Sequence, residues 1–303
     1  MRIVIAGSGG VGGYYGAVLA KTGHDVFFIA RGAQLDALKS IGLEVKSING
    51  DFHISANAGE NSKEFGPADI ILVCFKAYDT SSTLELYAPS AGPNTVIISL
   101  QNGVDNEDII AARFGWEKVL GGLSFIGSRV EKPGLVIHTA ASNIIIGEMD
   151  GTVSNRAKMI GEMFNAAGVK CKVSAEVKKD MYGKMIWNIG FNALCAIMDC
   201  SAKAAIEFNE TKGIVRAAML EWIAVAHAVG AGLTQDLADK HIERTYGAGE
   251  IIPSMLQDKR RGKRMEIETF NAKAVEMGAK LGVETPVNAT LAGIIKYWNR
   301  GQA

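Results

Sequence analysis

Cysteine is scarce in this chain, and the cysteines that occur do not form a recognisable site. Cys74, Cys171, Cys195 and Cys200 include no Cys-x-x-Cys pair, and no histidine stands near them at the spacing of zinc ligands. We therefore expect reduced thiols in the core of a cytoplasmic protein. The five histidines are scattered over separate predicted elements, which disfavours a dehydrogenase mechanism based on histidine.

A charge excess and a long apolar run are also missing. The 32 basic residues balance 32 acidic residues, so the chain as a whole lacks the positive field that attracts nucleic acid or an anionic membrane. No apolar run approaches the ~20 residues of a membrane span. Glycines interrupt the first apolar residues, so no secretory signal is expected. A small molecule is the favoured partner.

A glycine-rich segment near the start has the pattern of a dinucleotide-binding loop. RIVIA predicts a strand, GSGGVGG follows it, and the next residues predict a helix. Gly7 permits a tight turn, Gly9 lets the backbone approach a pyrophosphate, and Gly12 allows the helix to pack closely on the strand. The helix N-terminus favours the negative charge of the phosphates. The predicted cofactor-binding residues of this loop are Gly7, Ser8, Gly9, Gly10, Val11 and Gly12.

The residue after the second predicted strand bears on the choice of cofactor. The strand DVFFIA ends at Arg31 rather than at an acidic residue that would bind a free ribose 2′-hydroxyl. An arginine can pair with a 2′-phosphate, so this position favours NADPH/NADP+ over NADH. A solvated surface arginine is the alternative interpretation.

Two more predicted strands end in polar residues. DIILVCF is followed by Lys76, and TVIISL is followed by Gln101 and Asn102. Ligands of open parallel sheets bind beyond the carboxyl ends of the strands. We therefore expect Lys76 and Asn102 to face the same crevice.

The pattern changes near residue 175, after strand candidates around a turn at Lys132-Pro133-Gly134. We predict an α/β protein with a Rossmann-type dinucleotide-binding domain at 1–175, extended by antiparallel strands, and an all-α domain at 176–303. The predicted helices of the second domain are 176–198, 211–229, 235–246, 264–281 and 286–298.

The first of these helices carries a polar stripe. Lys184, Asn188 and Asn192 are four residues apart in an otherwise apolar segment, which places them within about 80° of one helix face. Each asparagine could simply bond a neighbouring group while the lysine reaches water. Together they suit a 2-keto acid, because the amides can hold its oxygens and the ammonium can protonate its carbonyl.

Motifs along nearly the whole chain resemble the ketopantoate reductase family, whose members are 2-dehydropantoate 2-reductases. The motifs are GSGGVGG, FKA at 75–77, QNG at 101–103, the spaced Lys184, Asn188 and Asn192, SMLQD at 254–258 with Glu266 beyond it, and GVETPVNATL at 282–291. The resemblance implies reduction of ketopantoate to pantoate with NADPH, in pantothenate and coenzyme A biosynthesis.

The resemblance also implies a role for each matching residue. Lys184 would be the general acid, and Glu266 would assist it and lie near the nicotinamide ribose. Asn188, Asn192 and Ser254 would hold the substrate. The cofactor would contact the glycine loop, Arg31, Lys76 and the backbone of Ser128, with Asn102 between substrate and nicotinamide.

This sequence departs from the family pattern at Ala202, where well-matched members have a substrate-binding asparagine. The identity of the keto acid is thereby open. The alternatives are a reductase of another 2-keto acid and a catalytically silent NADP(H)-binding regulator, against which the retained Lys184 and Glu266 argue. Quaternary structure is also open, with a homodimer as one option.

Overall fold

The computed structural model describes residues 1–301, which form two compact units that divide after Val177. The predicted class is confirmed: an α/β dinucleotide-binding unit comes first and a helical unit follows. No helix in the part of the chain that is described is long and apolar enough to span a membrane.

Unit 1 contains ten strands and five α-helices among its described elements. The strands are β1 (Arg2–Ala6), β2 (Asp25–Ile29), β3 (Leu43–Ser47), β4 (Phe52–Ile54), β5 (Asn57–Gly59), β6 (Ile70–Val73), β7 (Val96–Ser99), β8 (Val119–Lys132), β9 (Leu135–Gly147) and β10 (Cys171–Val173). The helices are α1 (Gly10–Lys21), α2 (Gly32–Ile41), α3 (Thr80–Tyr87), α4 (Asn106–Phe114) and α5 (Asn155–Ala166).

These strands form one sheet in the order β4-β3-β9-β8-β7-β6-β1-β2-β5, with β10 beside β9. Strands β7, β6, β1 and β2 run parallel, so their carboxyl ends lie at one edge. The long strands β8 and β9 form the predicted antiparallel addition, a hairpin that turns at Pro133 and Gly134.

The parallel strands are buried on both faces. Ile3 and Ile5 of β1 join a core that includes Tyr15 of α1, while Val4 and Ala6 join a second core on the opposite face. Alternate side chains of a strand point to opposite faces, so a strand covered on both sides is apolar throughout. This explains why residues 3–6, IVIA, form a continuous apolar run.

Unit 2 is helical over its described residues. Its helices are α6 (Val177–Met198), α7 (Ala202–Glu207), α8 (Asn209–Ala228), α9 (Asp236–Gly247), α10 (Ser254–Arg260), α11 (Asn271–Leu281) and α12 (Pro286–Asn299). Helix α6 packs closely on α8, where the Tyr182 and Trp222 rings stack with centroids 5.3 Å apart. The Trp222 indole also donates to the Tyr182 carbonyl at 2.9 Å.

The predicted helix 264–281 is wrong at its start, because α11 begins only at Asn271. The preceding segment is held in turns by contacts from distant residues. The Asn299 side chain accepts from the Met265 N–H at 3.1 Å and donates to the Met265 carbonyl at 2.9 Å. These bonds replace the helical bonds of that backbone, and Glu266 therefore lies on an irregular segment.

Candidate active site

The three glycines of the N-terminal motif have different surroundings. Gly7 has φ +107°, and a Cβ there would lie 2.8 Å from the backbone nitrogen of Phe75. A Cβ on Gly12 would lie 2.1 Å from the Gly7 carbonyl oxygen, whereas nothing lies within 4 Å of a Cβ on Gly9. The first and third glycines thus serve the turn and its packing, and the second leaves open space at the loop.

Neighbouring groups hold this loop at the start of α1. The N–H and hydroxyl of Ser8 both donate to the Ile29 carbonyl at 3.2 Å. A Cβ on Gly10 would lie 2.6 Å from the carbonyl oxygen of Ser128, which places the Ser128 backbone beside the loop. Helix α1 begins after Gly9 without a side-chain cap and without an acidic residue in its first turn. Its first N–H groups can therefore bind an anion, and the arrangement fits a dinucleotide pyrophosphate.

The other cofactor candidates of unit 1 lie at the carboxyl ends of neighbouring strands. Arg31 is exposed after β2, at the start of α2. Lys76 follows β6 and precedes a short 3₁₀ turn, and Asn102 follows β7 and is partly buried. The parallel pairing of β2, β1, β6 and β7 puts all three residues at the same sheet edge as the glycine loop.

A buried hydrogen-bond network that was not predicted from the sequence supports this edge. The Gln101 amide donates to the Phe75 carbonyl at 3.1 Å and to the Thr80 hydroxyl at 2.9 Å. Thr80 donates to the Asn106 amide oxygen at 2.9 Å, and Asn106 donates to the Asn102 carbonyl at 2.8 Å. The network fixes the turn that carries Asn102. The only indication of this network in the sequence is that polar residues follow both β6 and β7.

In unit 2, the predicted stripe on α6 is partly accessible and partly internal. Lys184 and Asn188 are partly buried, and Asn192 is fully buried. The Asn192 amide oxygen accepts from the Ser254 hydroxyl at 3.3 Å and from the Met255 N–H at 3.2 Å. Its nitrogen donates to the Asn188 amide oxygen at 3.2 Å. Asn192 therefore ties the start of α10 to α6, and Asn188 and Ser254 are its two side-chain partners.

Lys184 has a perturbed environment. Burial lowers the pKa of Lys184 to about 8, and the nearby charge of Glu266 opposes that shift. Glu266 is itself buried, with 4% of its surface exposed. An ammonium whose pKa lies near the working pH can both hold and release a proton, which is the property of a general acid. The structure thus brings Lys184, Asn188, Asn192, Ser254 and Glu266 together within unit 2.

Ala202 is fully buried at the first position of α7. Its N–H donates to the Ile251 carbonyl at 2.9 Å, in the segment that leads to Ser254. A larger side chain at Ala202 would have to displace its neighbours.

Comparison with known proteins gives a consistent result along the chain. Residues 3–151 match the family described as "Ketopantoate reductase PanE/ApbA", and residues 176–298 match its C-terminal family. The chain is 33% identical over 297 residues to the 2-dehydropantoate 2-reductase of Archaeoglobus fulgidus, covering 97% of each chain.

Solved structures of similar proteins agree in fold. A 2-dehydropantoate 2-reductase from Geobacter metallireducens superposes with a TM-score of 0.93 at 36% identity, covering 98% of this chain and 99% of that one. A PanE/ApbA family ketopantoate reductase from Ralstonia eutropha gives a TM-score of 0.91 at 30% identity, with 98% of both chains covered.

Proposed function

Because this chain belongs to the ketopantoate reductase family, we propose that it reduces ketopantoate to (R)-pantoate with NADPH, as a step of pantothenate and coenzyme A biosynthesis. The observation that carries the proposal is the partly accessible Lys184 on the same helix face as Asn188, with the buried Glu266 close enough for its charge to act on the lysine. The cysteines are free thiols, which fits the proposed cytoplasmic location.

Most of the proposed cofactor residues lie in unit 1. The open space at Gly9 and the uncapped N-terminus of α1 would receive the pyrophosphate. Arg31 and Lys76 would bind the 2′-phosphate and other phosphate oxygens, which supports NADPH over NADH. When bound, the nicotinamide supplies a hydride to the carbonyl carbon of the keto acid. Cofactor contacts are also proposed for Ser128, Asn102 and Glu266, because the family resemblance implies them.

The proposed proton donor lies in unit 2. Reduction of a carbonyl places negative charge on its oxygen, and the Lys184 ammonium would stabilise that charge and donate the proton. Glu266 would keep Lys184 protonated, because its negative charge raises the lysine pKa against the effect of burial. Asn188 would hold a substrate oxygen through its amide nitrogen. Asn192 would act mainly by fixing Asn188 and Ser254 through the bonds described above.

A direct test follows NADPH absorbance after ketopantoate is added to the purified protein, with other 2-keto acids alongside. We expect NADPH to disappear in proportion to the ketopantoate supplied. A matched Lys184→Met protein should bind NADPH and consume it ~10²–10⁴-fold more slowly. Tight NADPH binding without turnover of any 2-keto acid by the wild type would instead support a silent regulator. Turnover of other keto acids alone would support the alternative reductase.

A further inference from the structure

The accessible part of α6 contains an aromatic side chain as well as the two polar residues already described. Between Met181 and Ala196, the residues that are partly exposed rather than buried are Gly183, Lys184, Trp187 and Asn188. At ~100° per residue, Trp187 lies about 60° from Lys184 on the same side of the helix. The surface that α6 offers to a ligand therefore consists of an ammonium, an amide and an indole.

Two contacts hold the Trp187 indole in place. Its Nε1 donates to the Thr245 hydroxyl at 3.1 Å, and that hydroxyl donates to the His241 carbonyl at 2.8 Å. The Trp187 and Phe191 rings lie with centroids 5.0 Å apart and an interplanar angle of 35°. An indole whose polar N–H is already bonded within the protein presents only apolar surface to a ligand. Trp187 is thus a restrained, partly accessible apolar wall beside the lysine.

We propose that Trp187 is a specificity-determining residue, whose indole packs against the bulky apolar group next to the substrate carbonyl. This inference rests on the proposed function and narrows it to 2-keto acids that are branched or aromatic at the carbon beside the carbonyl. Lys184 and Asn188 bind the oxygens of such an acid, and the neighbouring indole covers its apolar part. Burial of apolar surface against the indole supplies binding energy that pyruvate cannot obtain.

Part of the hydrogen-bonding capacity of this site is already used within unit 2. The Asn192 amide oxygen is bonded to Ser254 and Met255, and the Asn188 amide oxygen is bonded to Asn192. A site built to bond a substrate hydroxyl rejects the analogue without it by ~10⁴-fold or more, whereas an apolar site distinguishes the two weakly. The Asn188 amide oxygen has a second lone pair that can accept from a substrate hydroxyl, so a comparison of acids with and without that hydroxyl measures its contribution apart from that of the indole.

Three substrates test this inference with NADPH as reductant: ketopantoate, trimethylpyruvate and pyruvate. Trimethylpyruvate is ketopantoate with the hydroxyl replaced by hydrogen, and pyruvate lacks the bulky group. For the wild type we expect kcat/KM of the first two to exceed that of pyruvate by about tenfold or more. Trp187→Ala should lower kcat/KM for both by about tenfold to a hundredfold and change the value for pyruvate by less than about threefold.

Two matched variants separate the effect of the aromatic ring from the effect of the hydrogen bond that holds it. Trp187→Phe keeps an aromatic ring and should retain most of the preference for bulky acids, and it replaces the alanine variant if that protein does not fold. Thr245→Val removes the hydrogen bond but keeps the ring, so its effect should be smaller than that of Trp187→Ala. Thermal unfolding of each variant reports whether the fold is intact.

Two results would overturn the inference. One is an equal loss for pyruvate and for the bulky acids in Trp187→Ala, which would indicate a structural role. The other is a wild-type kcat/KM for pyruvate that equals the values for the two bulky acids, which would show that their apolar group gains no binding energy in this site. Failure of the proposed function would give a different result, because the wild type would then bind NADPH and reduce none of the three acids.

Discussion

Gly9 and Gly12 belong to one motif, but their replacement by alanine is expected to have different effects: the first should weaken cofactor binding and the second should lower stability. In Gly9→Ala the added methyl group meets no protein atom within 4 Å, so the fold should be unchanged. In Gly12→Ala the methyl group would lie 2.1 Å from the Gly7 carbonyl oxygen, 2.8 Å from Ile5 and 2.9 Å from Cys74. The first variant tests cofactor binding, and the second tests packing.

The size of each effect follows from these distances. A methyl group in the space proposed for the pyrophosphate forces the phosphates away from the helix N–H groups. Overpacking typically costs about 1–3 kcal/mol, which corresponds to roughly tenfold to a hundredfold weaker NADPH binding. The clash in Gly12→Ala involves backbone and cannot be relieved by rotating a side chain. Its cost should reach or exceed the upper end of that range and appear as a loss of stability.

Thermal unfolding without cofactor and fluorescence titration with NADPH measure the two effects separately. Gly9→Ala should unfold at the wild-type Tm and bind NADPH weakly. Gly12→Ala should show a clearly lowered Tm or accumulate as unfolded protein. Wild-type NADPH affinity in Gly9→Ala would refute the assignment of the loop as a phosphate cradle, and a wild-type Tm in Gly12→Ala would refute the packing argument.

Three further substitutions probe charge. Arg31→Ala should weaken NADPH binding by about tenfold to a hundredfold and leave NADH binding unchanged, because a charge-assisted bond contributes about 1.5–3 kcal/mol; equal losses in titrations with both cofactors would contradict this. Glu266→Gln removes the charge that raises the pKa of Lys184. The alkaline limb of the kcat profile is expected near pH 8 in the wild type and should move to lower pH in this variant; an unchanged limb would contradict this role of Glu266. Burial raises the pKa of Glu107 from 4.5 to about 8, so the folded state keeps a proton that the unfolded state loses. The unfolding free energy of the wild type, measured in urea, should therefore fall relative to Glu107→Gln by up to ~1.4 kcal/mol per pH unit across that interval, and a difference independent of pH would contradict it.

Local pattern was sufficient for the parts of the molecule whose structure is determined by neighbouring residues. The strand β1, the glycine loop and α1 follow one another in the chain, and their signals are apolar continuity and glycine spacing. Strands β6 and β7 are equally apolar because both of their faces are buried. The α6 stripe was recognisable because three polar residues in an apolar helix are unusual.

Features that depend on distant residues could not be predicted in this way. The short strands β3, β4 and β5 lie toward the ends of the sheet order, and their apolar runs are brief. The two partners of Asn192 in α10 are 62 and 63 positions away, so its role in holding α10 is not evident from the local sequence. The late start of α11 likewise depends on Asn299, 34 residues after Met265.

The central claim is that Lys184 donates the proton in reduction of a 2-keto acid, and Lys184→Met tests it most directly. Methionine keeps much of the side-chain length but carries no proton to donate. With saturating NADPH and ketopantoate, kcat should fall by ~10²–10⁴-fold, the usual contribution of a general acid. The NADPH dissociation constant should stay close to the wild-type value, because the glycine loop and Arg31 are unchanged. A folded Lys184→Met protein with kcat within a few-fold of the wild type would contradict the account.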